Sequence, residues 1–222
     1  MIPLRDSTPS NRFPLITVII IALNLFIFYQ ESSLGTEELN RLISIFGLVP
    51  ANYSNFNVPI LAYIPFLSSM FLHGSWTHVI GNMWILWLFG DNLEDRMGRG
   101  RFLLFYLLCG VIAAFTHYFV NPASAEPVVG ASGAVAGIMG AYFLMFKKAK
   151  VLTFIPPFFL FNLPAWIYLG FWALSQLWCG AAQVFAANAC GQIAFWAHIG
   201  GFLAGMILYR FFLQSESRND YL

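Results

Sequence analysis

Six runs of apolar side chains stand out between polar intervals: 14–30, 77–89, 102–120, 129–146, 160–179 and 193–213. Crossing the hydrocarbon core takes about 20 mostly apolar residues in a helix, so each run is expected to be a transmembrane helix. The second and fourth are short or rich in Gly and Ala. Small side chains present little apolar surface to lipid but let a neighbouring backbone come close, so these two are expected to lie buried among the others. The fold class that follows is all-α, a polytopic membrane bundle of six transmembrane helices. Residues 1–13 form a short polar N-terminus, 14–213 one membrane domain and 214–222 a polar tail. The interval 31–70 carries Glu31, Glu37 and Glu38 among Leu42, Ile43, Ile45 and Phe46. A connection of that length rarely lacks structure, and it is expected to fold onto the outer membrane surface.

Composition agrees with burial in lipid. Hydrophobic residues make up 59% of the 222 and charged residues 9%, with a net charge of +1 and a mean hydropathy of +0.70. An average soluble domain is roughly 25% charged. No extended basic surface is available for nucleic acid, which is set aside as a partner. Charge placement also orients the bundle. With the N-terminus cytoplasmic, the inside segments hold Arg5, Arg12, Arg96, Arg99, Arg101, Lys147, Lys148, Lys150, Arg210 and Arg218, leaving Arg41 alone outside. Both termini are therefore expected to be cytoplasmic. The first apolar run lacks a small-residue cleavage site and nothing reads as an organelle presequence, which points to a bacterial cytoplasmic membrane. Cys109, Cys179 and Cys190 are odd in number and lack metal-ligand spacing, so they are expected to be small packing residues, with neither a disulfide framework nor a metal site.

Ionisable side chains inside spans are costly, and each is a candidate site. Those expected there are His78, His117 and His198, with His73 just ahead of the second span. Paired intramembrane aspartates and an HExxH zinc motif are missing, as is a carboxylate relay for proton-coupled transport. What remains is Ser132, within Gly130-Ala-Ser-Gly-Ala-Val-Ala-Gly137, and His198, within Ala197-His-Ile-Gly-Gly201. The derived topology puts both at one depth near the outer face. His198, Gly201 and Gly205 share a helix face, as do Ser132, Ala136 and Gly140. Packing these small-residue stripes together would bring imidazole to hydroxyl, the geometry that activates a serine nucleophile. His78 and Asn82, at i and i+4, lie at the same depth and could donate to an oxyanion with the Ser132 N–H. Taken singly, a serine in a Gly/Ala-rich helix is more often a packing residue and a membrane histidine an interhelical hydrogen bonder, the role left to His117. The convergence of three polar sites at one depth carries the inference.

The chain resembles the rhomboid intramembrane serine proteases. The likeness lies in His73 through Asn82, the Gly90-Asp-Asn-Leu-Glu-Asp-Arg-Met-Gly98 run, the GxSGAxxG at Gly130 to Gly137, and AHIGGFLAG at Ala197 to Gly205. It implies Ser132 as nucleophile, His198 as general base, His78 and Asn82 in the oxyanion site, and His73 as a structural support. Gly130, Gly133, Gly201 and Gly205 would support the site. Such proteins cut transmembrane segments of single-span or polytopic membrane proteins near their outer ends, with no metal or organic cofactor, from a cavity open to water. Two positions depart from some relatives. An aromatic residue four places after the serine is here Ala136, so the His198 ring must be oriented by other packing and hydrogen bonds, and the first loop lacks a Trp-Arg pair. Pro156, Pro157 and Pro164 weaken helical regularity at the start of the fifth span, making it a candidate lateral gate.

Overall fold

The computed structural model describes residues 1–53, 59–186, 190, 191 and 193–214, apart from the Val184 side chain. Its elements, in chain order, are strand β1 (Ile2–Asp6), helices α1 (Leu15–Ser32), α2 (Thr36–Phe46), α3 (Pro65–Ser68), α4 (Trp76–Met97), α5 (Arg99–Val120) and α6 (Ser132–Met145), strands β2 (Lys150–Ile155) and β3 (Phe159–Pro164), and helices α7 (Ala165–Phe185) and α8 (Phe195–Phe212). Short 3-10 turns occupy Pro50–Tyr53, Ile60–Tyr63 and Ser69–Phe71. Most of the tail 214–222 and part of the loop 180–192 lie outside the described residues.

A helix of 14 residues or more coincides with each of the six apolar runs, and among the described residues three are long and apolar enough to cross a bilayer: α1, α5 and α8. The other long helices depart from that pattern for physical reasons. The 14 residues of α6 span only about 21 Å. Nearly all its side chains from Gly133 to Met145 are buried, so it meets helices on every side. The polar second half of α4, from Asp91 to Arg96, extends the helix eight residues beyond the apolar run, which ends at Phe89. Those polar groups are used internally. Buried Glu94 accepts hydrogen bonds from the Ile16 N–H (2.9 Å), the Thr17 N–H (2.8 Å) and the Thr17 hydroxyl (2.9 Å), so a carboxylate of α4 caps the N-terminus of α1, where the helix dipole favours negative charge. Glu94 lies beyond the apolar run expected to be the second span, and Glu31, expected in the loop, is instead buried in the last turn of α1.

The all-α expectation needs a correction. β1, β2 and β3 form an antiparallel sheet in that order, drawing the polar N-terminus onto the segment after α6. Residues 160–164, expected to begin the fifth span, belong to β3 instead, and the helix starts at Ala165. The run Phe159-Leu-Phe-Asn-Leu163 is apolar enough to pass for helix, but pairing across a turn at Pro156–Pro157 satisfies its backbone. Pro156 and Pro157 lie in the turn and Pro164 is the N-cap of α7, so all three sit outside the body of the fifth helix and do not weaken its regularity. Side-chain bonds lock the sheet to the bundle: Tyr142 Oη donates to Asp6 Oδ2 (2.5 Å) and Trp84 Nε1 to the Pro3 carbonyl (2.7 Å).

Within the interval 31–70 the described residues form α2, α3 and short 3-10 turns. Phe66 stacks on Phe115 of α5 with ring centroids 4.2 Å apart, and Tyr53, Tyr118 and Leu48 close a second apolar cluster there. The loop is therefore anchored on α5.

The cysteine expectation is overturned for two of three residues. Cys179 of α7 and Cys190 form a disulfide, with Cα atoms 5.7 Å apart, while Cys109 is free and buried. An odd count concealed one pair plus one packing residue.

Candidate functional site

Ser132 and His198 meet as the spacing predicts. His198 Nε2 lies 2.8 Å from Ser132 Oγ, across the contact of α6 with α8. Close backbone approach makes this possible. A Cβ at Gly201 would collide with the Gly133 carbonyl oxygen, and one at Gly205 with the Gly137 carbonyl oxygen. The seam on α6 is therefore Gly133, Gly137 and Gly140; of the predicted stripe Gly140 holds, while Ser132 and Ala136 sit one residue round from the contact. Ser132 stands at the rim of that seam, where its side chain faces the imidazole. Gly133 also packs its Cα against Ala113 of α5, where a Cβ would overlap the alanine methyl.

Ser132 is the first residue of α6, so its N–H and those of the next residues precede the intrahelical ladder, at the positive end of the helix dipole. The chain reaches this point through Gly130 at φ +123°, where a side chain would be strained and its Cβ would strike the His78 ring. The approach is held from the first loop: the Gly130 N–H donates to the Ser69 carbonyl (2.8 Å), and Leu48 and Val128 exchange backbone hydrogen bonds. A small cavity beside Ser132 is lined by Leu48, Ser69, Met70, Val128, Gly130 and Ala197.

His78 and Asn82 share one face of α4, whose start is capped by Ser75 Oγ accepting the His78 N–H (3.1 Å). Asn82 Nδ2 lies 3.1 Å from His73 Nε2, and the Ala131 N–H reaches the same nitrogen at 3.5 Å. His73, in the extended segment before α4, is buried, and its own N–H donates to Glu31 Oε2 (3.2 Å). One imidazole thus ties the Asn82 amide to the backbone that leads into Ser132. Since Nε2 accepts from both, Nδ1 carries the proton. Burial, and secondarily His78, pushes the His73 imidazole down to about 4, which keeps it neutral and able to accept.

The gap left by Ala136 is filled from α7. His198 Nδ1 lies 2.7 Å from Gln176 Oε1, and Trp172 lies beside the imidazole with centroids 5.9 Å apart and planes inclined by 33°. Both residues were missed, because a Gln and a Trp in an apolar run read as ordinary interfacial or packing residues. The signal available was that 176 and 172 are i and i−4, one face of one helix.

The family model described as Rhomboid domain matches residues 62–215. Among curated proteins, the chain is 28% identical over 199 residues to the mitochondrial presenilin-associated rhomboid-like protein of Bos taurus, covering 84% of this chain and 46% of that protein. It is 30% identical over 155 residues to the mitochondrial rhomboid protein 1 of Saccharomyces cerevisiae, covering 68% and 42%. It is also 30% identical over 131 residues to the rhomboid protease GluP of Bacillus subtilis, covering 59% and 24%. The chain spans less than half the length of each of these relatives.

Proposed function

Given that the chain belongs to the rhomboid family and is an integral membrane protein, we propose that it is an intramembrane serine endopeptidase working through a Ser132–His198 dyad. The single observation that carries the reading is the 2.8 Å approach of His198 Nε2 to Ser132 Oγ at the N-terminus of a helix. His198 Nε2 takes the hydroxyl proton as Ser132 Oγ bonds to the scissile carbonyl carbon. The carbonyl oxygen becomes an oxyanion beside the Ser132 N–H, with His78 and the second Asn82 N–H as side-chain donors, each such donor being worth about 3 kcal/mol. His198 then gives the proton to the leaving amine. A water, deprotonated by the same Nε2, splits the acyl-enzyme and restores Ser132. No metal or organic cofactor enters any step.

The substrates in this reading are transmembrane segments of single-span or polytopic membrane proteins, cut near their outer ends. In this reading the basic residues give six spans with cytoplasmic termini, and the Cys179–Cys190 disulfide between α7 and α8 would then face the opposite, outer side, where an oxidising compartment favours it. In a bacterium the host membrane would be the cytoplasmic one. The test is incubation in liposomes with a single-span substrate. The wild type is expected to yield two fragments and both Ser132→Ala and His198→Ala none. Cleavage that persists in Ser132→Ala would end the serine mechanism, and no cleavage of any substrate would leave a binding protein.

A further inference from the structure

Gln176 approaches His198 from the side away from Ser132, and its amide orientation is fixed by a chain of hydrogen bonds. Ser175 Oγ donates its one proton to the Trp172 carbonyl (2.6 Å), so that oxygen is an acceptor for what faces it. Gln176 Nε2 faces it at 3.2 Å and donates. The amide oxygen then points at the imidazole, 2.7 Å from Nδ1, and Nδ1 must carry the hydrogen. That leaves Nε2 with a free lone pair 2.8 Å from Ser132 Oγ, which is the tautomer able to accept the hydroxyl proton.

We propose that Gln176 is the positioning residue of the dyad, a neutral acceptor on α7 that holds His198 in its Nδ1–H tautomer and fixes the ring, as a carboxylate does in three-residue sites. The inference rests on Ser132 and His198 being the reacting pair. The titratable groups close enough to act on the ring electrostatically are His78 of α4 and His117 of α5, and among the described residues the partner at Nδ1 is Gln176. Its amide oxygen accepts the Nδ1–H both before and after Nε2 is protonated and takes no proton itself. Trp172 keeps the ring plane in register from the same helix face. Because the acceptor stands on α7, the dyad is complete only while α7 is seated against α8.

The test uses the full chain in liposomes, with kcat and KM for a single-span substrate and the labelling rate of Ser132 by a fluorophosphonate. Gln176→Met keeps the length of the side chain and removes the acceptor. It is expected to lower kcat and labelling roughly 10- to 100-fold, less than the ~10⁴-fold cost of a wrong tautomer imposed in a triad, with KM unchanged. Gln176→Glu returns an acceptor oxygen to the same place and is expected to recover most of the rate. A Gln176→Met enzyme with wild-type kcat overturns the proposal, and so does an equal loss in both variants, which would mark Gln176 as a packing residue. If the wild type itself neither cleaves nor labels, the serine reading falls and takes this inference with it. A reactive wild type matched by Gln176→Met removes the role of Gln176 alone.

Discussion

Adding one methyl group at Gly201 tests whether backbone contact between α6 and α8 sets the reacting geometry. Carbon and carbonyl oxygen approach to about 3.3–3.6 Å at rest, and a Cβ at Gly201 would sit well inside that distance from the Gly133 oxygen, with the Ala136 methyl at 3.4 Å closing the other side. The obstacle is backbone, which cannot rotate away, so the helices must part by roughly 1 Å at this level. Gly133 is bonded to Ser132 and Gly201 lies one turn from His198. The same displacement takes the 2.8 Å hydrogen bond to about 3.8 Å, beyond hydrogen-bond reach. Overpacking of this kind costs about 1–3 kcal/mol of stability, whereas misplacing a reacting group by about 1 Å can cost 10²-fold in rate. Gly201→Ala is therefore expected to melt a few degrees low, remain folded, and lose about 10²-fold in kcat. Thermal unfolding in detergent and cleavage in liposomes read the two effects. Gly100→Ala is the control, since its Cβ would meet nothing within 4 Å. A Gly201→Ala protein as active as the control would refute the claim that this contact holds the dyad.

Four further outcomes are expected. Glu94→Gln leaves the cap of α1 with an NH2 facing a backbone N–H, and should cost about 2–3 kcal/mol, seen as a lowered melting temperature while the residual folded protein still cleaves. Under denaturing, non-reducing conditions a maleimide should modify one cysteine, Cys109, and after reduction all three; three modified before reduction would exclude the Cys179–Cys190 bond. His73→Ala removes the nitrogen shared by Asn82 and the Ala131 N–H, and should lower kcat at least about tenfold with little change in KM if that tie aligns an oxyanion donor. His73 is held neutral when folded, at about 4, and ionises near 6.5 when unfolded. Its contribution is complete above pH 6.5 and lost as pH falls towards 4, by at most about 3 kcal/mol, so the acid-side fall in stability should be shallower in His73→Gln than in wild type.

What the sequence made legible was what depends on local periodicity. The helix positions of Ser132, His198, Gly201 and Gly205 follow from spacing within one helix each, and the meeting of Ser132 with His198 matches the expectation drawn from counting crossings between basic segments. The α6 seam was off by one residue because helical phase alone leaves the facing row uncertain to one position, and only the facing backbone settles it. The sheet was illegible for a different reason. β1 and β2 are separated by more than 140 residues, and the apolar run 160–164 carries no signal that distinguishes a paired strand from the first turn of a membrane helix. Cysteine pairing has the same character, since an odd count permits a bond that only proximity reveals.

Polar side chains in apolar surroundings separate the two kinds of residue most clearly. His198 and His78 are candidate site groups and only half-buried, yet Glu94 and Glu31 are more deeply buried than either and serve helix ends and loops: one caps α1, and the other receives the His73 N–H. Charge and burial do not distinguish a structural carboxylate from a reactive one. What does is whether the group's hydrogen-bonding capacity is spent on backbone. Both Glu94 oxygens are spent that way, holding fixed partners through its hydrogen bonds to Ile16 and Thr17. Among the described residues His198 is bonded to no backbone group through its ring: one nitrogen meets an amide oxygen and the other a hydroxyl. A ring held by side chains on two different helices can be tuned by either, which a ring clamped to backbone cannot. Gln176 belongs to the same set although it never ionises, so charge alone does not mark it out in the sequence.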